Sequence, residues 1–196
     1  MLPENIIYIV IFLSFFGHLS YIKSIIGGQA KPNLVSWFIW VLAPLIGVFF
    51  QFKAGAGLVS LPIFMDAFFS FMIIITAILT KNGYWKINVF DLYCGALALL
   101  ALVFYIFTHN LGISILFAIL SDGLAATPTL IKSWKFPETE ATTVYFTAAL
   151  SSMLGLLIVK DWFFSIYAFN IYFVLINLLV VFCVYRKKIF KFFTFT

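Results

Sequence analysis

The chain has 196 residues, of which 64% are hydrophobic and only 10% are charged, and its mean hydropathy is +1.14. Soluble domains are about 45–50% apolar, and a chain this short cannot bury so much apolar surface in one aqueous core. We therefore predict an integral membrane protein in contact with the lipid bilayer. The net charge of +5 does not require a nucleic-acid partner, because basic residues near helix ends meet anionic lipid headgroups.

Apolar segments of about 20 residues, the length that crosses a bilayer as a helix, follow one another along the whole sequence. Short breaks rich in Gly, Pro, Asn and Lys separate them. The first segment lacks a basic leader and a cleavage site, so we expect it to remain as the first helix. The predicted membrane helices are residues 6–26, 33–51, 57–79, 88–107, 112–133, 139–159 and 162–185.

Basic residues are distributed unequally between the two sides of this plan. Ten of the twelve Lys and Arg residues fall on one side, and only Lys53 and Lys160 fall on the other. The positive-inside rule then predicts an amino terminus outside and a carboxyl terminus in the cytoplasm. We predict the bacterial inner (cytoplasmic) membrane as the location.

Two similar tetrapeptides, YIKS at 21–24 and LIKS at 130–133, each end one apolar segment and precede a loop with a proline. A chance match is the alternative to a true repeat. A repeat predicts an all-α membrane protein with a 3+1+3 plan: one three-helix unit in residues 1–80, a connector helix in 81–110, and a second unit in 111–196. Two units inserted in the same direction need one extra crossing between them, which gives parallel repeats.

This plan resembles the PQ-loop and SWEET-like transporters, which have a proline and a lysine near the cytoplasmic end of the first helix of a unit. The second unit has Pro128 and Lys132 in such an arrangement, with Thr129 where the family's glutamine follows the proline. The first unit has Leu19-Ser20 at that place. The resemblance implies solute transport by rocking of two three-helix bundles about a central site.

Asp66 is predicted near the middle of the third membrane helix, where an aspartate costs roughly 2.5–3.5 kcal/mol unless it is protonated or finds partners inside the bundle. The repeat pairs it with Asn170 in the seventh helix. In the SWEET-like family, polar residues at this depth in the third helix of each unit face the solute, so the resemblance implies that Asp66 and Asn170 bind the substrate. The alternative is that each side chain only makes a hydrogen bond between helices.

Asp122 is a second buried acid in the fifth helix, and the repeat matches it with an apolar residue, Leu13. This unequal carboxylate is a candidate proton-coupling site. His18 could serve as its relay partner, because histidine changes protonation near neutral pH. An interfacial position for His18 is the alternative.

Aromatic and proline residues complete the candidate site. Trp37 and Trp40 lie three residues apart on one helix face, and the repeat matches Trp40 with Tyr145. Trp40 and Tyr145 could stack on a solute, or the tryptophans could belong to the interfacial aromatic belt. Pro62 and Pro128 are candidate hinges beside the two acids, because proline removes a backbone hydrogen bond and bends a helix.

The sequence contains no histidine cluster and no phosphate-binding glycine loop, and Cys94 and Cys183 lie in separate apolar segments. We therefore expect no enzyme, no cofactor and no metal site. The predicted function is transport of a small solute, with proton coupling as an open question and a cationic or zwitterionic solute favoured by the acids. A non-transporting receptor or assembly protein of the same fold is the alternative, and a homo-oligomer is left open.

Overall fold

The structure is a computed structural model that describes residues 6–53, 61–80, 84–108, 111–158, 162 and 164–194, with only the backbone described for some of them. Within these ranges the chain forms seven α-helices and no strand, and a single 3₁₀ turn at Pro137–Thr139 precedes the sixth helix. The all-helical prediction is confirmed. The helices are α1 (Ile6–Ile26), α2 (Leu34–Lys53), α3 (Leu61–Leu79), α4 (Val89–Phe107), α5 (Leu111–Lys135), α6 (Thr143–Ile158) and α7 (Phe164–Thr194).

Four of these helices are long and apolar enough to cross a membrane. Their candidate spans are Tyr8–Ile26, Val89–Phe107, Ile115–Lys135 and Tyr167–Phe190. The other three helices contain shorter apolar stretches, Leu34–Leu45, Phe64–Leu79 and Thr143–Leu157. Large apolar side chains also cover the outside of the bundle, among them Phe12, Leu92 and Leu175. Such lengths and such an apolar exterior suggest a membrane protein.

The bounds of most helices lie close to the predicted ones, with α7 as the main difference. We predict its end at residue 185, whereas the helix continues through the basic segment to Thr194. Lys and Arg are good helix formers, so the helix need not end where its apolar run ends.

Each helix packs against a small set of others. α3 lies between α1 and α2, and α7 lies between α5 and α6. Across the bundle, α1 packs on α6 and α2 packs on α5, while α4 covers α5 and α2. In the described part of the chain, the backbones of α1 and α2 do not approach each other closely, and neither do those of α5 and α6.

Two glycines permit close approach of helices. A Cβ atom added at Gly17 of α1 would lie 2.0 Å from Thr147 Oγ1 of α6, and one at Gly95 of α4 would lie 2.5 Å from Val35 Cγ1 of α2. Small residues at helix contacts are typical of membrane proteins, because they let two backbones come together.

The connections after α1, α3 and α5 meet at one end of the bundle, which we call the basic end because most of the Lys and Arg residues lie there. The Lys31 amide donates to the Thr139 carbonyl oxygen at 2.9 Å, and the Trp85 amide donates to the Pro32 carbonyl oxygen at 2.9 Å. The Trp85 ring also packs on Phe136, with ring centroids 5.0 Å apart. Three separate loops are therefore joined at this end.

Candidate functional site

Asp66 faces the interior of the bundle. It shares a stripe of α3 with the buried residues Phe69, Ser70 and Ile73, which follow at helical spacing, whereas Phe68 on another face is exposed. The Asp66 side chain nevertheless keeps 34% of its surface accessible. The carboxylate is therefore only partly buried.

His18 is the ionic partner of Asp66. Its Nε2 lies 3.5 Å from Asp66 Oδ1, and the Ser14 hydroxyl donates to the same oxygen at 3.4 Å. His18 Nδ1 lies 2.8 Å from the Ser14 carbonyl oxygen, which can only accept, so Nδ1 carries a hydrogen. The His18 imidazole and the Asp66 carboxylate are therefore within ion-pair distance of each other.

Aromatic rings enclose the imidazole. Phe69 stacks on His18 with ring centroids 5.6 Å apart, and Trp37 approaches it edge-on at 6.3 Å. Only 4% of the His18 residue is exposed. His18 therefore belongs to the core of the bundle.

Asp122 has a different partner from the one we predicted. The Tyr172 hydroxyl of α7 donates to Asp122 Oδ2 at 2.7 Å, and Asp122 is buried. Gly123 leaves room for this contact, because a Cβ there would lie 3.3 Å from the Tyr172 hydroxyl. The predicted relay pairs His18 with Asp122, whereas the structure places His18 against Asp66. Asp66 and Asp122 belong to α3 and α5, which share α2 as a neighbour.

Trp40 of α2 lies beside this second acid. Its indole is close enough to interact with Asp122, but its Nε1 has no partner at hydrogen-bonding geometry among the described side chains. Trp40 also touches Trp37 and Tyr145, with ring centroids 5.1 and 6.4 Å apart. The predicted substrate residue Trp40 therefore does lie next to a predicted acid.

The structure distributes the remaining predicted residues over the bundle. Asn170 points toward α6, where its Oδ1 lies 3.9 Å from the place of a Cβ on Gly155. Because α3 and α7 do not pack on each other in the described ranges, a shared solute contact of Asp66 and Asn170 stays a prediction. Pro128 is buried inside α5. Pro62 lies near the beginning of the described part of α3, and its side chain is outside the described part.

A second polar cluster, which we did not predict, lies at the basic end. Lys132 and Glu140 form an ion pair whose side chains are 1% and 0% exposed. The Tyr21 hydroxyl donates to Glu140 Oε1, and the Tyr145 hydroxyl donates to the same oxygen at 3.2 Å. Tyr145 is therefore a partner of Glu140 as well as of Trp40. Tyr21 and Lys132 both belong to the repeated tetrapeptides, so the repeat marked the helix ends that meet here.

Polar groups thus occupy two levels of one bundle: the acids with His18 and Tyr172, and the Lys132–Glu140 pair at the basic end. Comparisons of the chain with protein-family models, with curated proteins and with solved structures found no match in any of the three. Its function is therefore inferred from its own side chains and their geometry.

Proposed function

We propose that this chain is a small-solute membrane transporter with seven membrane helices, built from two parallel three-helix units and the connector α4. The helix contacts support this plan. If α1, α2 and α3 are exchanged with α5, α6 and α7, the contacts inside one unit become those inside the other, and the α1–α6 contact becomes the α5–α2 contact. Such exchange symmetry is expected of two repeats related by an axis along the membrane normal.

The presence of one partnered acid in each unit is the observation on which the transport proposal depends. Asp66 and His18 belong to the first unit, and Asp122 and Tyr172 belong to the second. A solute bound between Asp66 and Asp122 would touch both units at once. Rocking of the units would then expose the solute first to one side of the membrane and then to the other, as in alternating access.

The charge balance of this site favours a cationic or zwitterionic solute. The proposed site contains two carboxylates and one histidine, so it carries excess negative charge unless it takes up protons or a positively charged group. An uncompensated charge is costly at membrane depth. The face of Trp40 offers an additional contact for an ammonium group. Protons and the solute can therefore compete for the same carboxylates, which is the simplest basis for proton coupling.

The plan also supports a distant relationship to the PQ-loop and SWEET-like transporters, and we propose a bacterial inner membrane with the basic end toward the cytoplasm. A non-transporting receptor or assembly protein of the same fold is the alternative. The alternative requires no solute flux, whereas the transporter requires flux that depends on Asp66 and Asp122.

Purified protein in proteoliposomes tests this proposal. Uptake of radiolabelled amines, amino acids and sugars would be measured by the radioactivity inside the liposomes. A pH-sensitive dye trapped inside would report proton movement. We expect a cationic or zwitterionic solute to move, and we expect Asp66→Asn and Asp122→Asn to abolish the flux or its response to a pH gradient.

Asp91→Asn is the matched control for these two variants. Asp91 is a buried acid as well, but it accepts from the Asn88 amide at 3.0 Å and caps α4. An asparagine can accept the same hydrogen bond, so flux should persist. Flux and pH response that survive both site substitutions would disprove the site, and a wild-type protein that moves no solute of the panel would favour the receptor or assembly alternative.

A further inference from the structure

The Lys132–Glu140 pair and its partners lie where the two proposed units meet at the basic end. Lys132 belongs to α5, Glu140 to the connection between α5 and α6, and Tyr21 to α1. We propose that these three residues form a gate at the basic end, which keeps the path from the Asp66 site to that side closed until the gate residues separate. This inference depends on the proposed transport function.

Three oxygen atoms surround the ammonium group of Lys132. Its ammonium group contacts Glu140 Oε2 and donates to the Lys31 carbonyl oxygen at 2.5 Å, with the Thr139 carbonyl oxygen at 3.5 Å. Two of its three N–H donors therefore make hydrogen bonds to carbonyl oxygens, and the Glu140 carboxylate supplies the opposite charge.

Several of these contacts cross from one proposed unit to the other. Lys132 of the second unit binds the Lys31 carbonyl of the first, and Tyr21 of the first unit binds Glu140 of the second. The backbone bond from Lys31 to Thr139 crosses in the same place. Opening of the bundle at this end must break all of them together.

A buried ion pair suits a gate better than a permanent seal. Burying two charges removes them from water, and this cost offsets most of their mutual attraction. When the units separate, Lys132 and Glu140 regain contact with water or lipid headgroups. The open state therefore recovers much of the solvation free energy that the two charges lose in the closed state. The two states can therefore lie close in free energy, as a switch between discrete arrangements requires.

The gate is also close to the proposed solute site. His18 and Tyr21 lie three residues apart on α1, which is about one turn, or roughly 4.5 Å along the axis. Trp37 fills the space beside them: its ring lies 5.1 Å from Tyr21 and 5.1 Å from Trp40, centroid to centroid. Tyr21 and Trp37 are 0% and 2% exposed. These packed aromatic rings separate the acids from the basic end.

Double electron–electron resonance, which measures the distance between two spin labels, tests the gate directly in liposomes. Labels would be attached at Gln29→Cys of the first unit and Glu138→Cys of the second, both exposed positions at the basic end, after replacement of Cys94 and Cys183 by alanine. We expect Glu140→Gln to add a population with a longer label separation. Tyr21→Phe keeps the ion pair and removes one hydrogen bond between the units, so it covers the case in which Glu140→Gln does not fold.

Tyr145→Phe is the matched control. Tyr145 donates to the same Glu140 oxygen as Tyr21, but it belongs to the same unit as Glu140. Because a hydrogen bond to a charged group corresponds to about a tenfold change or more in an equilibrium constant, Tyr21→Phe should raise the ratio of open to closed protein about tenfold. Tyr145→Phe should leave this ratio near the wild-type value.

Two outcomes separate the gate from the transport proposal. Flux in the wild type, combined with unchanged label distances in folded Glu140→Gln and Tyr21→Phe proteins, would overturn the gate and leave transport standing. Longer distances in both variants would support the gate even if no solute in the panel moves. Equal responses to Tyr21→Phe and Tyr145→Phe would also overturn the gate, because a hydrogen bond between the units would then have no more effect than one within a unit.

Discussion

Replacement of Gly17 by alanine tests the contact between α1 and α6, on which the arrangement of the two units depends. The new Cβ would lie 2.0 Å from Thr147 Oγ1 and 3.3 Å from the Val144 Cα atom. The Thr147 hydroxyl lies 3.0 Å from the carbonyl oxygens of Thr143 and Val144. Rotation of the threonine would sacrifice these local hydrogen bonds, and the Val144 backbone cannot move without shifting α6.

The size of the effect follows from this geometry. Overpacking of a close contact costs about 1–3 kcal/mol of the free energy of unfolding, and we expect Gly17→Ala to lose an amount in that range. Thr147→Ala removes the colliding oxygen. The double variant should therefore recover about 1 kcal/mol or more relative to the sum of the single variants, a coupling of the size that contacting residues show.

Denaturant titration in mixed micelles, followed by tryptophan fluorescence, would measure the free energy of unfolding. Gly155→Ala is the control: it lies on α6, and the nearest atom to its new Cβ would be 3.9 Å away. Both substitutions gain the same helix propensity, so the difference between them isolates the collision. If Gly17→Ala is as stable as Gly155→Ala, or if Thr147→Ala brings no recovery, α1 and α6 are not in this register.

Two further substitutions address local features. Asn88→Ala removes the side chain that accepts from the Asp91 amide at 3.0 Å in the capping box of α4, and it should lower the free energy of unfolding by about 1 kcal/mol in the same titration; an unchanged value would contradict the cap. Tyr172→Phe removes the hydroxyl that donates to Asp122 at 2.7 Å and should reduce solute flux about tenfold. The control is Tyr167→Phe, because the Tyr167 ring packs on aromatic neighbours, and it should leave the flux unchanged. Equal flux in both variants would exclude a role for the Tyr172 hydroxyl.

The helices were predictable from the sequence because each apolar run is continuous and ends in residues that interrupt a membrane helix. The predicted first helix, residues 6–26, coincides with α1. The length of α7 was not predictable from hydropathy, since residues 186–194 continue a helix without continuing its apolar run. Hydropathy reports where a chain enters lipid, and helix propensity decides where the helix stops.

The candidate site was predictable only in part. Mid-membrane depth identified Asp66 and Asp122 as residues that need partners, and the structure gives them His18 and Tyr172. The choice of partner depends on how each helix is rotated and on which helices touch, and neither follows from depth along a single helix. Alignment of the repeats identifies equivalent positions in the two units, but it does not identify which side chains contact each other.

Lys132 shows the same limit for charge counting. The positive-inside rule assigns it to the cytoplasmic surface with the other basic residues, and the structure does place it at the basic end. Its side chain, however, is 1% exposed and bound to Glu140. The rule counts basic residues on each side of a membrane. It takes no account of Glu140, which the connection between α5 and α6 places beside Lys132.

Helix α1 connects the proposed solute site with the proposed gate. Ser14, His18 and Tyr21 follow one another at spacings of four and three, so they lie on one helix face. His18 contacts Asp66 within the first unit, and Tyr21 contacts Glu140 of the second. A solute can shift the gate only as far as it binds the open and closed states with different affinity. If α1 moves as a rigid element over this single turn, a displacement that alters the His18–Asp66 contact also alters the Tyr21–Glu140 contact. We propose that solute binding at Asp66 thereby has different free energies in the two gate states.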